Sequence, residues 1–151
     1  MKSTRLIVPH VRQRAEGECV AACAAMMLGY MGFSVAYDQL LKILDASWFG
    51  TPFFKLRELE KLGVAVIYKQ GSLRELHEHL LNDRPCIAFV RTSELPYWDL
   101  VVDHAVVVVG LDDEHVYLND PEFPNAPVAV SRGDFDLAWL EKDEFFAAFL
   151  K

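Results

Sequence analysis

At 151 residues the chain has the length of one domain, residues 1–151, able to bury about 70% of the surface its unfolded form exposes. An apolar fraction of 52%, with three Trp, five Tyr and ten Phe, supports a real core, while a net charge of −7 with scattered Lys and Arg excludes nucleic acid as the main partner. The Leu6-Ile7-Val8 run is too short for a secretory signal, no apolar stretch spans a membrane, and three cysteines do not make a disulfide framework, so a cytoplasmic protein without membrane insertion is expected.

Taken in chain order, residues 1–17 read as extended, with Leu6-Ile7-Val8 as a short strand. From Glu18 to Met31 the apolar positions Val20, Ala21, Cys23, Ala24, Met27, Leu28 and Met31 follow helical spacing. Their small size marks a buried helix packed closely on its neighbours, and Gly32 is a natural stop. Further helices are predicted over 36–45 and over 52–62, the second carrying Phe53, Leu56, Leu59 and Leu62. Val64 to Tyr68 then reads as a strand. Ser72 with Glu75 three residues on is a capping box that opens a helix over 72–82.

Cys86 to Arg91 is apolar and β-prone, and Val102 to Leu111 pairs with Val116 to Asn119 across Asp112-Asp113-Glu114. Val128 to Val130 adds a strand, and Ser131 with Asp134 caps a helix through Trp139. The tail 144–150 has helical periodicity, yet the topology calls for one more strand there. Helices first and strands after them predict an α+β domain, with N-terminal helices packed on an antiparallel sheet.

The chemistry-bearing residues follow from position. Cys19 opens a helix, where the macrodipole favours a thiolate over a thiol. Gln13, six residues upstream, can fold back and donate an amide N–H to a developing oxyanion. Cys23 and Cys86 lie among apolar residues and read as core. Of five histidines, His77 and His79 fall on different faces of a solvated helix, His115 in a turn and His10 in the extended N-terminus. His104 opens a strand of valines, where a polar ring needs a partner. Asp120 ends the next strand before Pro121, at the end of the hairpin near His104. Cys19 as nucleophile, His104 as base, Asp120 as its orienter and Gln13 at the oxyanion hole make up a thiol-dependent catalytic set.

These residues resemble a known family. The glutamine, the acidic-Cys pair Glu18-Cys19, the Ala-rich helix ending in Tyr30-Met31-Gly32, the run His104 to Gly110 and Leu118-Asn119-Asp120-Pro121 are similar to the bacterial double-glycine leader peptidases and their free-standing papain-like relatives. Lys61-Leu62-Gly63, Arg84-Pro85-Cys86-Ile87 and Ser131 to Trp139 extend the resemblance over nearly the whole chain. It implies a papain-like fold, no metal or organic cofactor, and cleavage of a peptide or protein substrate after small residues such as Gly-Gly. Any link to an exporter would be in trans. The family usually has glycine where this chain has Val20, so Val20, with Tyr97 and Trp98, is expected to line and narrow the substrate tunnel. The alternatives are an acyl or amide transferase with the same thiol chemistry, and a catalytically silent peptide-binding domain on the same scaffold.

Overall fold

A computed structural model describes residues 1–151. The first strand, β1 (Thr4–Arg5), precedes helix α1 (Cys19–Tyr30), helix α2 (Tyr37–Ile43) and a 3₁₀ helix (Phe53–Leu62). Strand β2 (Ala65–Gln70), helix α3 (Leu73–Leu81) and strand β3 (Cys86–Arg91) follow. The chain then forms the long strand β4 (Asp103–Leu111), β5 (His115–Asn119), β6 (Val128–Ser131), helix α4 (Arg132–Leu140) and β7 (Phe145–Leu150). The strands make one seven-stranded antiparallel sheet in the order β2-β7-β3-β4-β5-β6, with β1 on the far end of β4.

The valine run of β4 is explained by what covers the sheet. Ala105, Val107 and Val109 join a core with α1, α2 and the 3₁₀ helix. Val106 and Val108 join a second core with Leu76 and Leu80 of α3 and Phe135, Ala138 and Trp139 of α4. A strand buried on both faces reads as continuous apolar sequence instead of alternating. The N-terminal helices do pack on the sheet, and α3 and α4 close its other face.

Helix α1 is buried at Val20 to Ala24 and again at Met26 to Leu28. Its alanines let the backbone come close to β4, and Gly32 ends the helical segment at a φ of 88°. The segment 53–62 is a helix, but of the 3₁₀ kind. Phe53, Leu56, Leu59 and Leu62 repeat every three residues, the spacing that eclipses side chains along one face of a 3₁₀ turn.

Two sequence expectations are settled differently or more sharply by the structure. The first strand is Thr4–Arg5, not Leu6 to Val8. Leu6 N still donates to Val109 O (2.7 Å), but the next rung, Val108, is already paired with Cys86 of β3. Pro9 then lacks the N–H a longer strand would need. The tail is a strand: β7 lies between β2 and β3, with Ala147 and Phe149 in one core and Phe146 and Ala148 in the other. Burial on both faces removed the alternation that would have marked it. No helix is long and apolar enough to cross a membrane.

Candidate active site

Cys19 sits at the first residue of α1, in a position set by the residues before it. Gly17 adopts a φ of 81°, and a Cβ there would lie 2.3 Å from Ser47 O and 2.7 Å from Trp48 O. Only glycine lets the loop after α2 pack this closely against the approach to Cys19. Glu18 occupies the N-cap position without capping the helix. Its Oε1 instead accepts from Arg14 N (3.3 Å) and from the Tyr37 hydroxyl (3.0 Å). No side chain therefore takes up the first N–H groups of α1, and they point at whatever binds beside the sulfur.

Antiparallel pairing of β4 with β5 brings His104 and Asp120 together. His104 Nε2 lies 2.7 Å from Asp120 Oδ1, and both side chains are buried. Asp120 accepts three more hydrogen bonds: from Glu122 N to Oδ1 (3.0 Å), and from the Tyr97 hydroxyl and Trp98 Nε1 to Oδ2 (each 2.8 Å). Burial alone would push this carboxyl up, but the bonds and charge of His104, with those of Glu122 N and Trp98, hold it below its ordinary value.

The imidazole is perturbed in the opposite sense. Burial works against its charged form, yet the hydrogen bond and charge of Asp120, with a further contribution from the neighbouring Cys19, raise its pKa to about 10. With Nε2 given to Asp120, Nδ1 is the nitrogen left for Cys19. Cys19 is half-buried, whereas Cys23 and Cys86 are fully buried and their thiols are pushed well up by desolvation. No three His, Cys, Asp or Glu side chains converge as a metal site.

Cys19 and His104 face a cleft of about 560 Å³. Gln13 lines it as well, its backbone N held by Pro121 O (2.9 Å), just beyond Asp120. Its Nε2 rests on Ala15 O at 3.2 Å, and its Oε1 is buried without a partner. One wall carries Trp48, Phe49, Thr51 and Phe53; the other carries Trp98, Leu100 and Val102.

Residues 7–143 of the chain match the Peptidase C39 family. The chain belongs to the peptidase C39 family. A search of curated proteins returns no match. Among solved structures, a C39-like peptidase from Bacillus anthracis superposes with a TM-score of 0.82 at 22% identity, covering 100% of this chain and 98% of that one. A double glycine motif protease from an AMS/PCAT transporter, solved with its leader peptide, gives 0.77 at 22% identity and covers 99% of each chain. The peptidase domain of Streptococcus ComA, a bifunctional ABC transporter, gives 0.77 at 18% identity, over 95% of this chain and 98% of that one. The α+β architecture read from the sequence is thus the C39 peptidase fold.

Two expected cleft residues of this C39 chain are placed elsewhere. Val20 is fully buried in the core under α1, so it cannot narrow the cleft. The residue after Cys19 begins the buried face of the helix, and a branched apolar side chain is satisfied there. Tyr97 turns to Asp120 and packs edge-on against Phe123, with ring centroids 5.3 Å apart. Trp98 does line the cleft, and its indole also stacks edge-on over His104 at 4.8 Å. The pair that looked like substrate wall is in large part the clamp on the His104–Asp120 pair. Trp48, Phe49 and Thr51 went unnoticed in the sequence. Two adjacent aromatics followed at once by Gly50 and Pro52 are the available signal.

Proposed function

We propose that this protein is a cysteine peptidase with Cys19 as nucleophile, His104 as general acid and base, Asp120 as the group that orients His104, and Gln13 at the oxyanion hole. The observation that carries the reading is His104, held by Asp120 on one nitrogen (2.7 Å) and facing the same cleft as Cys19.

His104 Nδ1 takes the proton of Cys19, and Asp120 stabilises the resulting imidazolium. The thiolate attacks a peptide carbonyl, and the oxyanion is met by the Cys19 N–H and by Gln13 Nε2, whose contact with Ala15 O (3.2 Å) is long enough to be exchanged for a charged acceptor. His104 returns its proton to the leaving amine, which departs and leaves a thioester on Cys19. Water, deprotonated by the imidazole, then hydrolyses that ester and regenerates the thiol. Cleavage after small residues in a leader-like peptide, in the cytoplasm and serving an exporter in trans, is the substrate reading that the family supports. The whole chain, residues 1–151, would act as one peptidase domain.

The test is turnover of a defined peptide library by the wild-type chain and by Cys19→Ala, with products mapped by mass. Cleavage that vanishes in the variant while its melting temperature holds is expected. Equal cleavage by both proteins would end the proposal.

A further inference from the structure

The cleft has a charge and surface character that the catalytic set does not use. It is bordered by three carboxylates, Glu16, Asp103 and Glu122, and by no Lys or Arg. Asp103 is occupied by Arg91 (2.8 Å) and Lys142 (3.0 Å). Glu16 and Glu122 line the cleft with no ion-pair partner for either carboxylate, although the Arg12 guanidinium donates to the main-chain oxygen of Glu122 (3.0 Å). Glu16 adjoins Gly17, whose packing on Ser47 O and Trp48 O brings it beside the loop that carries Trp48 and Phe49. Those two rings are 79% and 77% exposed, an uncommon state for aromatic side chains at the rim of a cleft.

A second, independent observation points to a ligand in the same place. Thr51 is only 7% exposed, lines the cleft, and its hydroxyl is buried without a hydrogen-bond partner. A buried hydroxyl left unpaired carries a desolvation penalty, which a partner arriving in the cleft removes. Gly50 and Pro52 on either side leave the threonine as the polar side chain of that stretch.

We propose that the cleft selects a peptide with a Lys or Arg side chain close to the scissile bond, its cationic head held by Glu16 or Glu122, its stem lying on Trp48 and Phe49, and its backbone hydrogen-bonded by the Thr51 hydroxyl. A long basic side chain is the one common chemistry that uses both the carboxylates and the exposed rings, through its apolar stem and through cation–π attraction. This inference rests on the peptidase reading and names the substrate class for that same cleft.

The experiment uses the full chain and internally quenched peptides that differ at one position among Lys, Arg, norleucine and Glu, scanned over the three residues either side of a Gly-Gly bond. Lys or Arg peptides are expected to show a kcat/KM at least about tenfold above norleucine and more above Glu, falling as ionic strength rises from about 0.05 M to about 0.5 M. The double variant Glu16→Gln, Glu122→Gln should erase the preference for Lys while changing norleucine turnover less than about twofold. Thr51→Val should lower kcat/KM for every peptide by about tenfold without lowering the melting temperature, because it removes a hydroxyl that has no structural partner. Brief iodoacetamide labelling of Cys19 should be the same in all variants. Norleucine turned over as fast as Lys, or a Thr51→Val protein that is fully active, would overturn this inference and leave the peptidase standing. No cleavage of any peptide above a Cys19→Ala blank would overturn both.

Discussion

At the scale of single residues, Asp120 and His104 shift one another in opposite directions. The imidazole's pKa rises from its ordinary 6.5 to about 10 in the folded chain. A group raised on folding contributes stability that is complete below its unfolded pKa and is lost as pH climbs through the folded one. Asp120 is held below its ordinary value, so its contribution is present above that value and is lost as pH falls through the lower, folded one. The melting temperature should therefore hold from about pH 5 to 7 and decline on the way to about 10. Asp120→Asn should flatten that alkaline decline and lower kcat/KM by at least about 10²-fold, since the ring loses both its orientation and its ion-pair partner. A variant with wild-type activity and an unchanged pH profile would remove Asp120 from the mechanism.

Gln13 gives a second test at this scale. Gln13→Ala should slow acylation by about 10²-fold, as loss of other oxyanion donors does. The melting temperature should hardly move, because Nε2 makes one long bond to Ala15 O and Oε1 makes none. Unchanged turnover would make Gln13 an ordinary polar residue. Cys19 should also be alkylated far ahead of Cys23 and Cys86, whose thiols are buried and pushed up. Peptide mapping after a short exposure to iodoacetamide reads this directly, and prior labelling of Cys23 would contradict it.

At the scale of elements, the loop before α1 is the part most tightly specified. Gly17 combines a φ of 81° with a contact that any Cβ would turn into a 2.3 Å clash against Ser47 O. Gly17→Ala should cost at least about 1–3 kcal/mol through backbone strain alone. It should also displace the loop bearing Trp48 and Phe49, so stability and turnover fall together. A normal melting temperature in this variant would show that the loop adapts. The same elements show what a sequence can disclose. The capping boxes at Ser72 and Ser131 were legible because the signal is local: each serine accepts from the N–H three residues on, at 3.2 and 3.1 Å. β7 was not legible by periodicity, because it is covered on both faces. The kind of helix at 53–62 was written in its three-residue spacing, which only the structure made plain.

At the scale of the whole molecule, the convergence of Gln13, Cys19 and His104 on one cleft, with Asp120 behind His104, was readable because each falls at the start or end of an element or on the approach to one. Pairing of β4 with β5 then brings the last two together. The far wall of the cleft was not readable. Trp48, Phe49 and Thr51 come near Cys19 only because Gly17 lets a loop some thirty residues away pack beside it, a long-range fact without a local signature. Val20 illustrates the same limit: adjacency to Cys19 in the chain is not adjacency to the cleft. The acidic character of the molecule, with a net charge of −7, carries into the cleft through Glu16 and Glu122.

In the proposed mechanism Cys19 forms a thioester under the control of His104. The most direct measurement is intact-mass analysis of the chain, quenched in acid within seconds of mixing with an activated peptide ester. One acyl group per chain is expected, mapped to Cys19, absent in Cys19→Ala and strongly diminished in His104→Ala. Acylation at Cys23 or Cys86, or equal acylation with and without His104, would contradict it.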